Sequence, residues 1–243
     1  MNLVVDVGNT RIKLGVFDRN GLVEDQISHR ENFLESIKTV FNSHPKIKRA
    51  LVASVGGEVK NEIQVLSLFC KVHVLDAQTK LPFKNSYASP QSLGVDRIAL
   101  AAGAYCSYRG KNVLVIDAGT CITYDMVNDY GEYLGGAISP GLGLRYKAMH
   151  EHTASLPLLE PQNELIDFIG NTTENCMHSG VLNGVLQEVD GVINQYNARF
   201  KDLTVILTGG DSHFFAKRLK NIIFANSKFL LEGLNHLLEY NKQ

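Results

Sequence analysis

An apolar strand that ends in aspartate and turns at once through glycine occurs twice in this chain, and that duplication constrains the fold more than any other feature. Asp6-Val7-Gly8 in NLVVDVGNT is matched by Asp117-Ala118-Gly119 in VLVIDAGT, 111 positions later. Past the turns the match continues at an offset of 110, with Ile12, Leu14, Val16 and Gly21 answering to Ile122, Tyr124, Met126 and Gly131. The first loop has therefore gained one residue. The first copy reads as three short strands, residues 2–7, 12–17 and 22–28, with Asn20-Gly21 as a hairpin signal. Phe33, Leu34, Ile37, Val40 and Phe41 then recur at helical spacing, and a strand at 50–55, a helix at 60–69 and a strand at 71–75 follow. After the second copy comes a long helix at 178–197, with Val181, Leu182, Val185, Leu186, Val189, Ile193 and Tyr196 on one face. A strand at 203–208, a Gly-Gly turn and a final helical stretch close the chain. Two copies of one β-β-β-α-β-α-β order predict two similar α/β lobes, residues 1–111 and 112–243, facing each other across a cleft where ligands belong.

The 243 residues suffice for two lobes that each bury a core. Twenty-four basic residues against 25 acidic ones leave no general basic field for nucleic acid or an anionic membrane. Asp6 interrupts what a secretory signal would keep apolar, and no later stretch reaches the length of a membrane span, so the cytoplasm is the expected compartment. Cys70, Cys106, Cys121 and Cys176 lack CxxC spacing and are expected to be reduced thiols that mostly fill core space. The eight histidines show no metal-ligand spacing; His150 and His152 read as a solvated loop, and His178 as packing or capping.

The two turns suit a polyphosphate. Glycine lets backbone N–H groups approach it, a threonine hydroxyl adds a donor, and an aspartate can hold a hydrated divalent cation. Lys13, three residues past Thr10, adds a positive charge. One such turn alone reads equally well as a hairpin; a second at the end of another buried strand demands compensation for each carboxylate. Thr208-Gly209-Gly210 is a third loop of this style, with room for an adenine or ribose. No GxxxxGK[ST] and no strand-following GxGxxG occurs, which excludes a P-loop and argues against hydride chemistry. Gly94-Val95-Asp96-Arg97 precedes an Ala-rich helix, with Asp96 where an N-cap belongs. Capping explains that aspartate by itself; a carboxylate there can also take a proton from a substrate hydroxyl.

DVGNTRIKLG at the start, GVDR near 95, IDAGT near 117, GGAISPGL at 135–142, GNTTENCMHSG at 170–180 and TGGD at 208 together resemble the type III pantothenate kinases of the actin/hexokinase-like ATPase superfamily, over essentially the full chain. The resemblance implies two ribonuclease H-like lobes of mixed sheet and helices, and phosphorylation of pantothenate by ATP. It implies an ATP loop of Asp6, Val7, Gly8, Asn9, Thr10, Arg11, Ile12 and Lys13, with Mg²⁺ near Asp6 and Thr120 on nucleotide phosphate. It further implies that Asp117 ligates a monovalent cation, K⁺ or NH₄⁺. Tyr87, Gly94, Val95, Asp96 and Arg97 would line the pantothenate pocket with Asp96 as general base, and Thr173, next to Thr172, would contact substrate. Cys121 and Cys176 stand where small residues such as alanine are usual in the family. A homodimer in which the second subunit closes the substrate site is implied as well. Two other readings remain on the residues alone: a regulatory protein that only binds ATP or a metabolite, and a superfamily kinase or phosphatase with another compact substrate.

Overall fold

Strand β1 (Asn2–Val7) is buried along its whole length, as an unbroken aliphatic run requires of a central strand. The computed structural model that shows this describes residues 1–8, 11–54, 58–164 and 167–242. After β1 come β2 (Ile12–Asp18), β3 (Gly21–Ser28), α1 (Phe33–Ser43), β4 (Arg49–Ser54), α2 (Lys60–Ser67), β5 (Lys71–Val74), the two-residue β6 (Lys84–Asn85) and α3 (Val95–Ser107). The sheet order is β3-β2-β1-β4-β5. β1 and β2 are antiparallel, as are β2 and β3, whereas β4 runs parallel to both β1 and β5. Phe33, Ile37 and Val40, one face of α1, cover Leu3, Val5, Val7 and Val52 in a single core.

The second half repeats this plan. β7 (Val113–Ala118), β8 (Cys121–Val127), β9 (Glu132–Pro140), α4 (Leu142–Glu151), α5 (Thr173–Arg199), β10 (Thr204–Thr208), α6 (Ser212–Ala216) and β11 (Phe224–Ala225) follow in order. Read from its other edge, the sheet runs β6-β9-β8-β7-β10-β11, with β7 antiparallel to β8, β10 parallel to both β7 and β11, and the short β6 added parallel to β9. Apart from β6, each strand thus has its counterpart in the first sheet. The pairings Val7↔Ile12 and Ala118↔Ile122 show the extra residue of the first turn directly. Helix α5 begins five positions before the apolar periodicity at 178, because Thr172 caps it and its first turn, Thr-Glu-Asn, is polar and exposed. Helix α4 occupies residues around His150 that were expected to be loop; its buried face rests on only Leu142 and Tyr146, too few to mark a period. The Tyr146 hydroxyl pairs with His178 Nδ1 at 2.8 Å, which gives that histidine its packing role.

The chain divides into two compact units: residues 1–109 with 131–133 and 228 onward, and residues 110–130 with 134–227. The last helix, α7 (Phe229–Tyr240), therefore folds with the first unit and not with the half that precedes it. Its apolar face of Phe229, Leu230, Leu234, Leu237 and Leu238 packs on α3 and β1. The helices meet closely because Gly233 has no side chain; a Cβ there would stand 2.0 Å from the Ala99 carbonyl oxygen. Cys121 and Cys176 are exposed, so only Cys70 and Cys106 approach the expected core role.

One buried group in the second core lacks a partner. The Tyr124 hydroxyl on β8 bonds no described residue although its side chain is 1% exposed. Leaving a buried hydroxyl unpaired costs about 1–3 kcal/mol. Tyr124→Phe is therefore expected to raise the unfolding free energy in urea by about 1 kcal/mol; a loss of stability would show that the hydroxyl is bonded in solution.

Candidate functional site

The antiparallel register of β1 and β2 puts Lys13 directly across from Asp6, and its Nζ stands 3.8 Å from Asp6 Oδ2. Asp6 is 7% exposed. Burial pushes its carboxyl up to about 6; Lys13 opposes that rise and the charge of Asp96 adds to it. The turn is closed by the Gly8 N–H, which donates to the Arg11 carbonyl at 3.1 Å. Arg11 is exposed. Val7 and Ile12 are fully buried, so these two members of the expected ATP loop present only backbone to a ligand. Asn9 and Thr10 lie outside the described residues.

The charge of Asp96 that acts on Asp6 comes from the start of helix α3. Gly94, not Asp96, holds the N-cap position, and Asp96 is the second helical residue. Its Oδ1 accepts the Arg97 N–H at 2.8 Å, satisfying one of the free donors of the first turn. Any side chain at position 94 would collide with that carboxylate, since a Cβ would sit 2.4 Å from Asp96 Oδ1. Arg97 is buried, and its guanidinium lies 5.7 Å from the centre of the Tyr87 ring. Tyr87 in turn packs on Tyr133 at 6.1 Å. Asp6, Lys13, Tyr87, Gly94, Val95, Asp96 and Arg97 thus all belong to one unit, linked by contacts and by the field of Asp96 on Asp6.

The second unit carries Asp117, Thr120 and Thr173. Three loops interlock around the turn after β7. Gly119 N–H donates to the Cys121 carbonyl, Gly141 N–H to the Thr120 carbonyl, and Asp211 N–H to the Ala118 carbonyl, at 3.0, 3.0 and 2.9 Å. The approach is so close that a Cβ at Gly141 would fall 2.1 Å from the Gly119 oxygen. At Gly209, with φ +96°, it would fall 2.4 Å from Asp117 Oδ1. Between these loops opens a cavity of about 430 Å³ lined by Gly119, Thr120, Gly143, Leu144, Lys147, Glu160, Pro161, Gly210 and Asp211. That volume lies within the ordinary range for small-ligand sites. The N-terminus of α4, which has no side-chain cap, contributes Gly143 and Leu144, so backbone donors and a helix dipole join Lys147 as the anion-favouring part of a lining that also holds the carboxyl groups of Glu160 and Asp211. Burial raises the Asp211 carboxyl above its ordinary value. Thr173 opens α5 and is exposed, whereas the neighbouring Thr172 hydroxyl is committed to capping, accepting the Asn175 N–H at 3.1 Å.

Gly143, Lys147 and Glu160 line this cavity outside every motif of the sequence reading, and Asp211 enters that reading only as the end of TGGD, with no role. A helix start just after GGAISPG would have pointed to Gly143 and to a lysine one turn further on. Nothing in its local sequence marks Glu160. Among the described residues no three His, Cys, Asp or Glu side chains cluster as a metal site, and no helix is long and apolar enough to cross a membrane.

A family model of type III pantothenate kinases matches residues 2–195. The type III pantothenate kinase of Christiangramia forsetii is 49% identical over 242 residues, covering 100% of this chain and 99% of its own. Among solved structures, a chain described as a Baf family transcriptional activator from Campylobacter jejuni superposes with a TM-score of 0.66 at 21% identity, covering 98% of each chain. A glucokinase from an Antarctic psychrotroph gives 0.53 at 15% identity over 99% of each. At such identities the two structures speak to the fold alone, two units of mixed sheet and helices. By the family match and the full-length similarity to its relatives, the chain belongs to the type III pantothenate kinase family.

Proposed function

We infer that this protein transfers the γ-phosphoryl group of ATP to the primary hydroxyl of pantothenate, giving 4′-phosphopantothenate in the first step of coenzyme A biosynthesis. The observation that carries the reading, beside the family match, is the grouping of a carboxylate–lysine pair at the end of β1 with Asp96, Arg97 and Tyr87. It supplies a phosphate-facing cation, a base and a substrate clamp within one unit. Asp96 accepts the hydroxyl proton as the oxygen bonds to phosphorus, and the bond from phosphorus to the β,γ-bridging oxygen breaks. Lys13 and the Gly8 turn balance charge on the phosphoryl group. Arg97, held over Tyr87, offers its planar donors to pantothenate. Thr120, the open start of α4 and Lys147 are assigned to nucleotide phosphate, and Thr173 to substrate.

Two cations complete the assignment. A buried carboxylate whose charge burial disfavours, and Lys13 only partly offsets, is stabilised by a bound cation, so Asp6 is assigned Mg²⁺. Asp117 Oδ1 and the Ala118 carbonyl both lie beside Gly209, hard oxygens of the kind that suit K⁺ or NH₄⁺, so Asp117 is assigned the monovalent cation. When bound, these ions neutralise phosphate charge. The protein is further assigned to the cytoplasm and to a homodimer acting without nucleic acid or membrane; exposed Phe168 and Ile169, close to the start of α5, support a protein contact. Turnover of ATP with and without pantothenate, in potassium and then in sodium, tests the reading. ADP release should require pantothenate and fall in sodium. Release at the same rate without the acceptor would overturn it.

A further inference from the structure

The turn that delivers the start of α4 to the phosphate cavity is held by a group of side chains that the reaction itself does not use. Arg145, in the second turn of α4, donates from Nε to the Pro140 carbonyl at 2.9 Å and from Nη2 to Ser139 Oγ at 2.9 Å. The same Nη2 reaches Glu188 Oε2 at 2.6 Å, and Ser139 Oγ donates to Glu188 Oε1 at 2.5 Å. Its backbone N–H meets the Gly141 carbonyl at 3.1 Å. Gly141 then donates to the Thr120 carbonyl at 3.0 Å, so an unbroken chain of bonds runs from the long helix α5 to the residue assigned to nucleotide phosphate.

We propose that Arg145 and Glu188 form a positioning clamp that fixes the Ser139-Pro140-Gly141 turn against Thr120 and thereby sets the affinity for ATP; this rests on the assignment of that cavity to nucleotide. Three features favour positioning over general stability. Pro140 has no N–H, so the turn cannot tie itself down with a backbone donor at that residue. Arginine's planar fork serves the Pro140 carbonyl, Ser139 and Glu188 together, which a lysine ammonium on a flexible stem cannot do. The anchor, Glu188, projects from the middle of a 27-residue helix whose buried face is fixed in the core of this unit. Because Gly141 of the turn bonds directly to Thr120, which lines the cavity, a displacement of the turn moves the cavity wall.

Steady-state kinetics of the full-length enzyme, with ATP and pantothenate varied separately, tests the clamp. Arg145→Lys and Glu188→Gln should each raise the KM for ATP about tenfold, the scale of one charge-assisted hydrogen bond, with the KM for pantothenate within about twofold of the parent. The double variant should be no worse than the poorer single one, because both act through one contact. Should Arg145→Lys fail to fold, Glu188→Gln reads the same contact. An unchanged KM for ATP with a lowered melting temperature, or equal rises in both KM values, would overturn the clamp. Thr120→Val separates the two failures. If it raises the KM for ATP while the clamp variants do not, the clamp alone is wrong; if it too leaves that KM unchanged, the nucleotide assignment falls and takes the clamp with it.

Discussion

Asp96→Asn should lower kcat by about 10²-fold or more, the usual scale for losing a general base, while the KM for ATP stays within about twofold. The substitution keeps the shape of the side chain, and its amide oxygen can still accept the Arg97 N–H that Asp96 now holds at 2.8 Å. What it loses is the capacity to take a proton. The negative charge in the first helical turn is also lost, at a cost of about 0.3–1 kcal/mol in stability, which a thermal melt would read separately from the kinetics. A second signature follows from the field between the two carboxylates. Asp96 contributes to the upward push on Asp6, so its neutralisation should move the acid limb of the kcat/KM profile to lower pH. Turnover close to the parent's would remove Asp96 from the chemistry and leave it as a helix-start residue only.

The duplication was legible because two demands coincide in each copy: a buried strand writes itself as a continuous aliphatic run, and a turn beside phosphate needs glycine. Asp6 and Asp117 therefore stood out from the residues alone. Their partners show how the copies diverged. Across the sheet from Asp6 stands Lys13, whereas across from Asp117 stands Thr123, so the same fold position holds an ion pair in one unit and a neutral hydroxyl in the other. The residues that escaped notice are those whose role arises from assembly. Lys147 and Glu160 become wall residues because α4 and the segment after it bring them to the turn of β7, and no local pattern encodes that meeting. The unit to which α7 belongs escaped for a related reason: the final helical stretch is plain in the sequence, but the core that it completes is settled by Ala99, Gly103 and Gly233, which permit close crossing of helices far apart in the chain. The cap of α3 was misplaced by two residues because Asp96 uses its carboxylate on the next N–H, a task that resembles capping in sequence.

Asp6→Asn should abolish most of the activity and at the same time make the protein more stable. The folded carboxyl has been raised from 3.8 to about 6, chiefly by burial. Between those two values the folded chain binds more protons at this position than the unfolded chain, so stability declines as pH rises through that window and the deficit stays constant above it. Its size is on the order of 2–3 kcal/mol at pH 7–8. Asparagine fills the same volume without a charge and removes that deficit, and half-exposed Lys13 can turn to solvent. Urea unfolding of the unliganded protein should therefore show a gain that is full at pH 7–8 and disappears by about pH 3, where aspartate is protonated in both states. In the assay, kcat/KM should fall by about 10²-fold or more, the scale of removing a charge-stabilising group from a phosphoryl-transfer site. For the parent enzyme the same titration predicts an apparent KM for ATP that climbs as pH falls below about 6, since a protonated Asp6 no longer attracts a cation. A variant equally active and no more stable would mean that Asp6 is compensated within the folded chain and has no ion to hold.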